Sequence, residues 1–306
     1  MRILFMGTPE FALPSLEALS REEVVGVISQ PDRPRGRGQR LSPPPVVQAA
    51  RKLGIPCLQP ERLKDPAVLA WIRDRKPELI VVVAYGRIIP PEIFRLPPLE
   101  SINVHPSLLP RHRGPSPIPF AILSGDTETG VTVIYLSEEM DAGDILLQKR
   151  VPIDPEETAR TLEGKLAQLG ARALLEAIEL LREGRAPRIP QDPAMATVTR
   201  KLMKEDGKVD WTRPSEWICR LVRAMDPWPT AYTFRGGTLL KIWRASPEPG
   251  IVGRPGEVVA VDQESILIAA GEGGVRVLEV QPAGRRRMKV EEYLRGYRVQ
   301  VGEVWT

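Results

Sequence analysis

The chain of 306 residues holds two histidines, His105 and His112, and two cysteines, Cys57 and Cys219. Chemistry that needs a base near neutral pH therefore has few candidates. Neither cysteine has a neighbour at ligand or redox spacing, which argues against a thiolate metal site or a disulfide and for two buried apolar residues. No apolar run approaches the roughly 18 residues of a membrane span. The apolar start from Met1 to Met6 is too short for a signal peptide and continues straight into Gly7. A cytoplasmic location is expected. Gly7-Thr8-Pro9 carries a single glycine, so no G-x-G-x-x-G follows the first strand-like run, which argues against a nicotinamide or flavin dinucleotide site. Gly114-Pro115-Ser116-Pro117-Ile118 is not a G-x-S-x-G elbow, so a Ser-His-Asp hydrolase built on Ser107 or Ser116 is disfavoured. Internal repeats and low-complexity segments are absent.

What is present reads as an ordinary globular composition, 42% hydrophobic and 27% charged, long enough for two domains with separate cores. Ile3 to Met6, Val24 to Ile28, Leu79 to Ala84, Ile102 to Val104 and Val131 to Leu136 are strand-like, and helical patterns lie between the early ones. Leu79 to Ala84 is a near-continuous apolar run, as expected of a strand covered on both faces. The alternation predicts an α/β fold: a Rossmann-like, mostly parallel sheet with helices on both faces. Ligands of such sheets bind at the carboxyl ends of the strands. A long helix is expected to start at Asp154 as N-cap, with Pro155 first and Glu157 three after the cap. Its stripe runs through Leu162, Leu166, Leu169, Ala173, Ile178 and Leu181, and Gly184 stops it. Past Gly184 the composition changes. Residues 1–184 are read as one domain, 185–208 as a linker, and 209–306 as a strand-rich domain forming a small, OB-like β-barrel.

The most informative stretch runs from Ser101 to Asp144. Asn103 and His105 are two apart, so on a strand their side chains leave by one face. An amide donor beside an imidazole, at a strand end closed by Pro106, suits a carbonyl whose oxygen turns negative during reaction. Asp141, in Met140-Asp141-Ala142-Gly143-Asp144, lies 36 residues past His105. Alone, Asn-x-His is turn chemistry more often than catalysis, and Asp-Ala-Gly-Asp is good turn sequence.

Six segments in order tip that balance: Gly7-Thr8-Pro9-Glu10-Phe11, Gln30-Pro31-Asp32-Arg33-Pro34, Val83-Ala84-Tyr85-Gly86, Asn103-x-His105, Ser107-Leu108-Leu109-Pro110 with Arg111-x-Arg113-Gly114, and Asp141. With them the whole chain resembles the folate-dependent formyltransferases, in particular members that act on methionine esterified to initiator tRNA. The resemblance implies direct transfer of a formyl group from 10-formyltetrahydrofolate, with Asn103, His105 and Asp141 catalytic, no covalent enzyme intermediate and no metal. It implies that folate lies along Ala84, Tyr85, Gly86, Ser107, Leu108, Leu109 and Pro110 and the loop from Ser137 to Asp144. Tyr85 as simple strand-end packing stays an open alternative. Where the family usually has tryptophan, this chain has His112, which is expected to fill a partly exposed aromatic position. Gly114-Pro115-Ser116-Pro117-Ile118-Pro119 also departs from the family's usual Gly-Ala-Ala-Pro-Ile-Gln.

Net charge is +4, but its distribution matters more. Arg33, Arg35, Arg37, Arg40, Arg51 and Lys52 follow one another with no acidic residue between. Arg285, Arg286, Arg287 and Lys289 form a second cluster. Either alone reads as a solvated face, and together they fit a polyanion. The loop from Gln30 to Pro45, too polar and broken for helix or strand, matches the family's insertion toward the tRNA acceptor end. Arg33, Arg35, Arg37 and Arg40 are its candidate contacts, Arg37 foremost. The second cluster is assigned to tRNA phosphates. A monomer binding tRNA and folate, with no membrane contact, is expected. The alternatives are a formyltransferase for a sugar-nucleotide amine and a non-catalytic tRNA-binding protein.

Overall fold

A computed structural model of the chain describes residues 1–35 and 40–306, the side chains of Arg35 and Arg40 excepted. They form two compact units. The first comprises Met1–Pro117, Glu128–Pro152 and Glu163–Arg200, and the second Ile118–Thr127, Ile153–Leu162 and Lys201–Thr306.

In the first unit the strands are β1 (Arg2–Gly7), β2 (Glu23–Ile28), β3 (Arg33–Arg35), β4 (Arg40–Ser42), β5 (Cys57–Leu58), β6 (Leu79–Val83), β7 (Ser101–His105), β8 (Glu128–Tyr135) and β9 (Ile145–Pro152). Seven of them make one sheet in the order β5-β2-β1-β6-β7-β8-β9. The β5 to β7 portion is parallel, whereas β8 and β9 run antiparallel. All five residues of β6 are buried, because a central parallel strand is covered on both faces. Between the strands lie α1 (Leu13–Ala18), α2 (Pro45–Lys52), α3 (Pro66–Arg75) and α4 (Pro91–Phe94). Asp65 caps α3 by accepting the Ala67 N–H at 2.9 Å, with Pro66 at the first position. Leu4, Met6, Ile28, Ile72, Ile80, Val82, Tyr85 and Phe94 pack in one buried core cluster.

The helices α5 (Pro117–Ser124) and α6 (Ala159–Arg182) follow. The α6 stripe is buried as expected at Leu162, Leu166, Ala173 and Ile178; burying a leucine of this kind contributes about 1.5–3 kcal/mol. At Gly170 a Cβ would lie 3.0 Å from Val104 Cγ1, so α6 covers the face of β7 opposite to Asn103 and His105. Its start differs from expectation. Asp154 and Glu157 bond to each other in a separate turn, and Thr158 and Thr161 trade side-chain bonds just before Ala159. The stop is where it was expected. Gly184 has φ +65, and the Arg185 and Gly184 amides close back on Leu180 and Leu181, the left-handed C-cap that glycine favours.

One further expectation is corrected. The Gln30 to Pro45 loop contains the antiparallel strand pair β3–β4, because extended Arg and Pro backbone can still form a ladder. Part of the 185–208 stretch pairs with the first unit: Ile189 exchanges bonds of 2.8 and 3.0 Å with Ile145, the Thr199 N–H donates to the Arg113 carbonyl at 2.7 Å, and the Arg113 N–H donates to the Thr197 carbonyl at 2.9 Å.

The second unit holds β10 (Ala231–Arg235), β11 (Thr238–Glu248), β12 (Val258–Val261), β13 (Ile266–Ala269), β14 (Gly274–Pro282) and β15 (Met288–Lys289). Its antiparallel sheet has the order β10-β11-β14-β13-β12, with β15 on β14. Register shifts around Arg244 break the pairing of the long β11, as bulges do where a sheet curls. The chain end then joins the two edges. Phe234 of β10 and Thr306 exchange bonds of 2.7 and 2.9 Å, while Val258 of β12 and Gly256 just before it bond Glu303 and Trp305 at 2.8 Å. Trp305 in this segment is 1% exposed. The strand-rich reading overlooked two helices, α7 (Ser215–Ala224) and α8 (Val290–Gly296); α7 buries Ile218, Leu221 and Val222 at helical spacing. Among the described residues no helix is long and apolar enough to cross a membrane.

Candidate active site

Asn103 and His105 leave the same face of β7, opposite Ile134 and Thr132 of β8. His105 is 4% exposed and held from two sides. Its Nε2 lies 2.9 Å from the carbonyl oxygen of His112, and its Nδ1 lies 3.6 Å from Asp141 Oδ2. A carbonyl oxygen only accepts, so Nε2 carries a hydrogen in this arrangement. That leaves Nδ1 as the position for a second proton, and the Asp141 carboxylate faces it. The 3.6 Å separation exceeds a hydrogen bond and becomes an ion pair only when the imidazole carries its second proton. Asn103 is half-buried, and its amide makes no hydrogen bond among the described residues. It is free to donate to a ligand.

Because β8 is antiparallel to β7, its carboxyl end lies at Ile102 rather than at His105. The loop from Leu136 to Asp144 therefore has to fold back to bring Asp141 to the imidazole. Gly143 permits this: a Cβ there would sit 1.9 Å from the Tyr135 carbonyl oxygen. Asp141 has φ +53, a left-handed conformation that a non-glycine residue keeps only when its surroundings over-determine it. The Gly114 N–H donates to Asp141 Oδ2 at 2.8 Å. Gln191 Nε2 donates to the carbonyl oxygens of Asp141 and Gly143, both at 2.8 Å.

The turn carrying His112 is held by the segment read as linker. His112 N–H donates to Thr197 Oγ1 at 2.8 Å, and Thr199 Oγ1 accepts the Ser116 N–H at 3.1 Å and donates to the Arg113 carbonyl at 2.9 Å. His112 itself is 6% exposed with φ +59, which corrects the partly exposed position expected of it. Its backbone carbonyl, invisible to a residue-type argument, is what meets His105. Thr132 and Gln148 were also overlooked. Thr132 Oγ1 donates to the Ser107 carbonyl at 2.7 Å and accepts the Leu109 N–H at 3.1 Å, and Gln148 Nε2 donates to the Leu109 carbonyl at 2.7 Å. An inward polar pair on adjacent strands was the only signal available for them.

Of the residues expected along the folate, Ala84 and Gly86 are exposed at the end of β6, both with positive φ (+47 and +80). Leu108 and Pro110 are half-buried, and Leu109 is buried. Two side chains face other partners. Tyr85 is 1% exposed within the core cluster, where burial pushes its phenol up to about 12. The Ser107 hydroxyl is buried and donates to the Arg111 carbonyl at 2.7 Å. The Tyr85 carbonyl accepts from Thr8 Oγ1 at 3.0 Å and Gln30 Nε2 at 2.8 Å, which gives two of the quoted motifs a structural role.

The basic residues divide. Arg33 Nη2 donates to Gln30 Oε1 at 2.9 Å. Arg37 lies outside the described residues, as do the side chains of Arg35 and Arg40. In the second unit Arg286 pairs with Glu292 and Arg287 with Glu279, while Arg287 also lies 5.0 Å over the Trp243 ring. Arg285 and Lys289 are exposed. Among the described residues no group of three or more His, Cys, Asp or Glu side chains is placed to hold a metal ion.

An imidazole clamped at a strand end beside a free amide, on a sheet followed by a barrel-like unit, is the layout of a group-transfer enzyme. The chain belongs to the formyl transferase family: the formyl transferase domain matches residues 1–178 and the formyl transferase C-terminal domain residues 201–298. It is 47% identical to the methionyl-tRNA formyltransferase of Moorella thermoacetica over 99% of each chain. It is 49% identical to the protein of that name from Symbiobacterium thermophilum, over 99% of this chain and 94% of the other. The fold is shared with an N-formyltransferase from Helicobacter canadensis in complex with folinic acid and dTDP-3-aminofucose, with a TM-score of 0.68 at 18% identity over 92% of this chain and 99% of that one.

Proposed function

We propose that the chain transfers a formyl group from 10-formyltetrahydrofolate to the amino group of methionine esterified to initiator tRNA, in the cytoplasm and as a monomer. The observation that carries this reading is the clamped His105, with Asp141 on one side and the free Asn103 amide on the same strand face. The neutral amine adds to the formyl carbon, whose oxygen becomes negative, and Asn103 donates to that oxygen. The Nε2 hydrogen of His105 is committed to the His112 carbonyl. A proton leaving the amine is therefore taken at Nδ1, where Asp141 stabilises the imidazolium. The bond from the formyl carbon to N10 of the donor breaks and that nitrogen regains a proton, so the exchange balances.

The folate is assigned to the exposed turn at Ala84 and Gly86 and to the stretch from Ser107 to Pro110. Apolar side chains there can flank a flat pterin while backbone groups meet its polar edge. Tyr85 and Ser107 contribute through their backbones. Arg33, Arg35, Arg37 and Arg40 engage the acceptor end of the tRNA, and Arg285, Arg286, Arg287 and Lys289 its phosphates. In this division residues 1–184 carry the chemistry and 209–306 hold the tRNA body. The test is incubation with charged initiator tRNA and labelled 10-formyltetrahydrofolate. Label on the aminoacyl group is expected. Transfer to a sugar-nucleotide amine but not to the tRNA would overturn the acceptor, and tRNA binding with no transfer would overturn the reaction.

A further inference from the structure

Gln191 lies in the segment read as a linker, yet it is 9% exposed and every hydrogen-bonding position of its amide is engaged. Its Oε1 accepts from Arg113 Nε at 3.0 Å and Nη2 at 2.9 Å. Its Nε2 spends one hydrogen on the Asp141 carbonyl and the other on the Gly143 carbonyl, each at 2.8 Å. Arg113 is itself 8% exposed and reaches Glu139 of the same loop with Nη1 at 3.3 Å. One amide thus ties together two stretches that both touch the His105 ring. The Leu136 to Asp144 loop supplies the carboxylate facing Nδ1, and the turn carrying Arg113 supplies the His112 carbonyl on Nε2.

We propose that Gln191 is a positioning residue for the reaction, holding Asp141 in its left-handed conformation and fixing the distance between the two partners of the imidazole. It touches no reacting atom and acts through Asp141 and Arg113. Buried amides used this completely have no alternative partner, because water is shut out and each lost bond leaves a carbonyl or guanidinium unsatisfied. Without the donation to its carbonyl, the Asp141 backbone loses a restraint on its φ of +53, and relaxation of that residue swings the carboxylate away from Nδ1. The inference rests on the reading of His105 and Asp141 as the proton-handling pair.

The discriminating substitution is Gln191→Glu in the full chain. A glutamate keeps an acceptor for the Arg113 fork but, ionised, donates nothing to the carbonyls of Asp141 and Gly143. The expected result is a fall in kcat of roughly 10- to 100-fold, the range seen when groups that orient a reacting side chain are lost. KM for the tRNA and for the folate should stay within about twofold. The imidazole NMR signals of His105, which only His112 accompanies, should move at fixed pH. Adding Gln191→Glu to Asp141→Asn should cost little more than Asp141→Asn alone, because a residue acting through Asp141 has nothing further to lose. Wild-type kcat with unmoved His105 signals overturns the proposal, as does full additivity in the double variant. Should Gln191→Glu not fold, Gln191→Asn, the same amide one methylene shorter, is judged by the same criteria. Unchanged turnover in Asp141→Asn alone would instead sink the proton-handling pair, so the two failures are separable.

Discussion

The loop around Asp141 and the turn around Arg286 look alike as sequence: short, polar, charged and glycine-containing. Their surroundings make them opposites. At Asp141 the half-buried carboxylate accepts from Gly114 and the backbone carbonyl from Gln191, which in turn accepts from Arg113, so this residue is held in one geometry. At Arg286 and Arg287 the guanidinium groups lie exposed and pair with acids of their own unit, Glu292 and Glu279. Exposed pairs are weak and easily exchanged. The first arrangement suits orientation of a reacting atom, and the second suits an interchangeable grip on phosphates. Charge density alone separates neither.

The sharpest break of this comparison is at the strand end. His105→Ala, Asn103→Ala and Asp141→Asn should each lower turnover by at least about 10²-fold with the fold retained by circular dichroism. Near-wild-type turnover in any one removes that residue from the mechanism. A smaller effect is expected in the arginine-rich loop. Arg37→Ala should reduce kcat/KM for charged tRNA by roughly tenfold by loosening the reacting end, with folate-analogue affinity unchanged in a binding titration. Equal loss in both would move the arginine-rich loop to the folate site.

The second region is sharpened by salt. Neutralising Arg285 and Lys289, which have no acidic partner among the described residues, should reduce the slope of log Kd against log salt by about 2 for tRNA. Neutralising Arg286 and Arg287 should reduce it less, since Glu292 and Glu279 already screen them. An unchanged slope in the quadruple variant would show the cluster to be free of tRNA. The smallest effect contrasts the two thiols. Burial pushes Cys219 up to about 12, so its thiolate fraction near pH 8 is about 10³-fold below that of an ordinary cysteine. Native protein should alkylate first at Cys57, as read by mass spectrometry. The sign of the linkage follows: the Cys219 proton supports the fold below the thiol's ordinary range, and that support is lost as pH rises through about 12.

Local order was legible because it has a period or a stereochemical rule. The five-residue apolar run of β6, the shared face of Asn103 and His105, the α6 stripe and the Gly184 stop all follow from periods of 2 and 3.6 or from a left-handed cap. The start of α6 was misplaced because Asp154 and Glu157 satisfy each other in a turn without starting a helix. The β3–β4 strand pair was overlooked because pairing in so short a strand owes nothing to a hydrophobic face. α7 was passed over because the strands around it dominate the pattern.

By itself, the sequence determined the family, the parallel core and the identity of the strand-end pair. Those rest on contiguous segments whose meaning survives without coordinates. Only the tertiary structure decided what surrounds His105. The carbonyl of His112, the donors of Gln191 some 50 residues from Asp141 and 78 from Arg113, and the closure of the second unit by the final residues all join distant stretches. A backbone carbonyl carries no residue signature. Hydrogen bonds between remote groups leave no period to read, because they are set by which surfaces packing brings together.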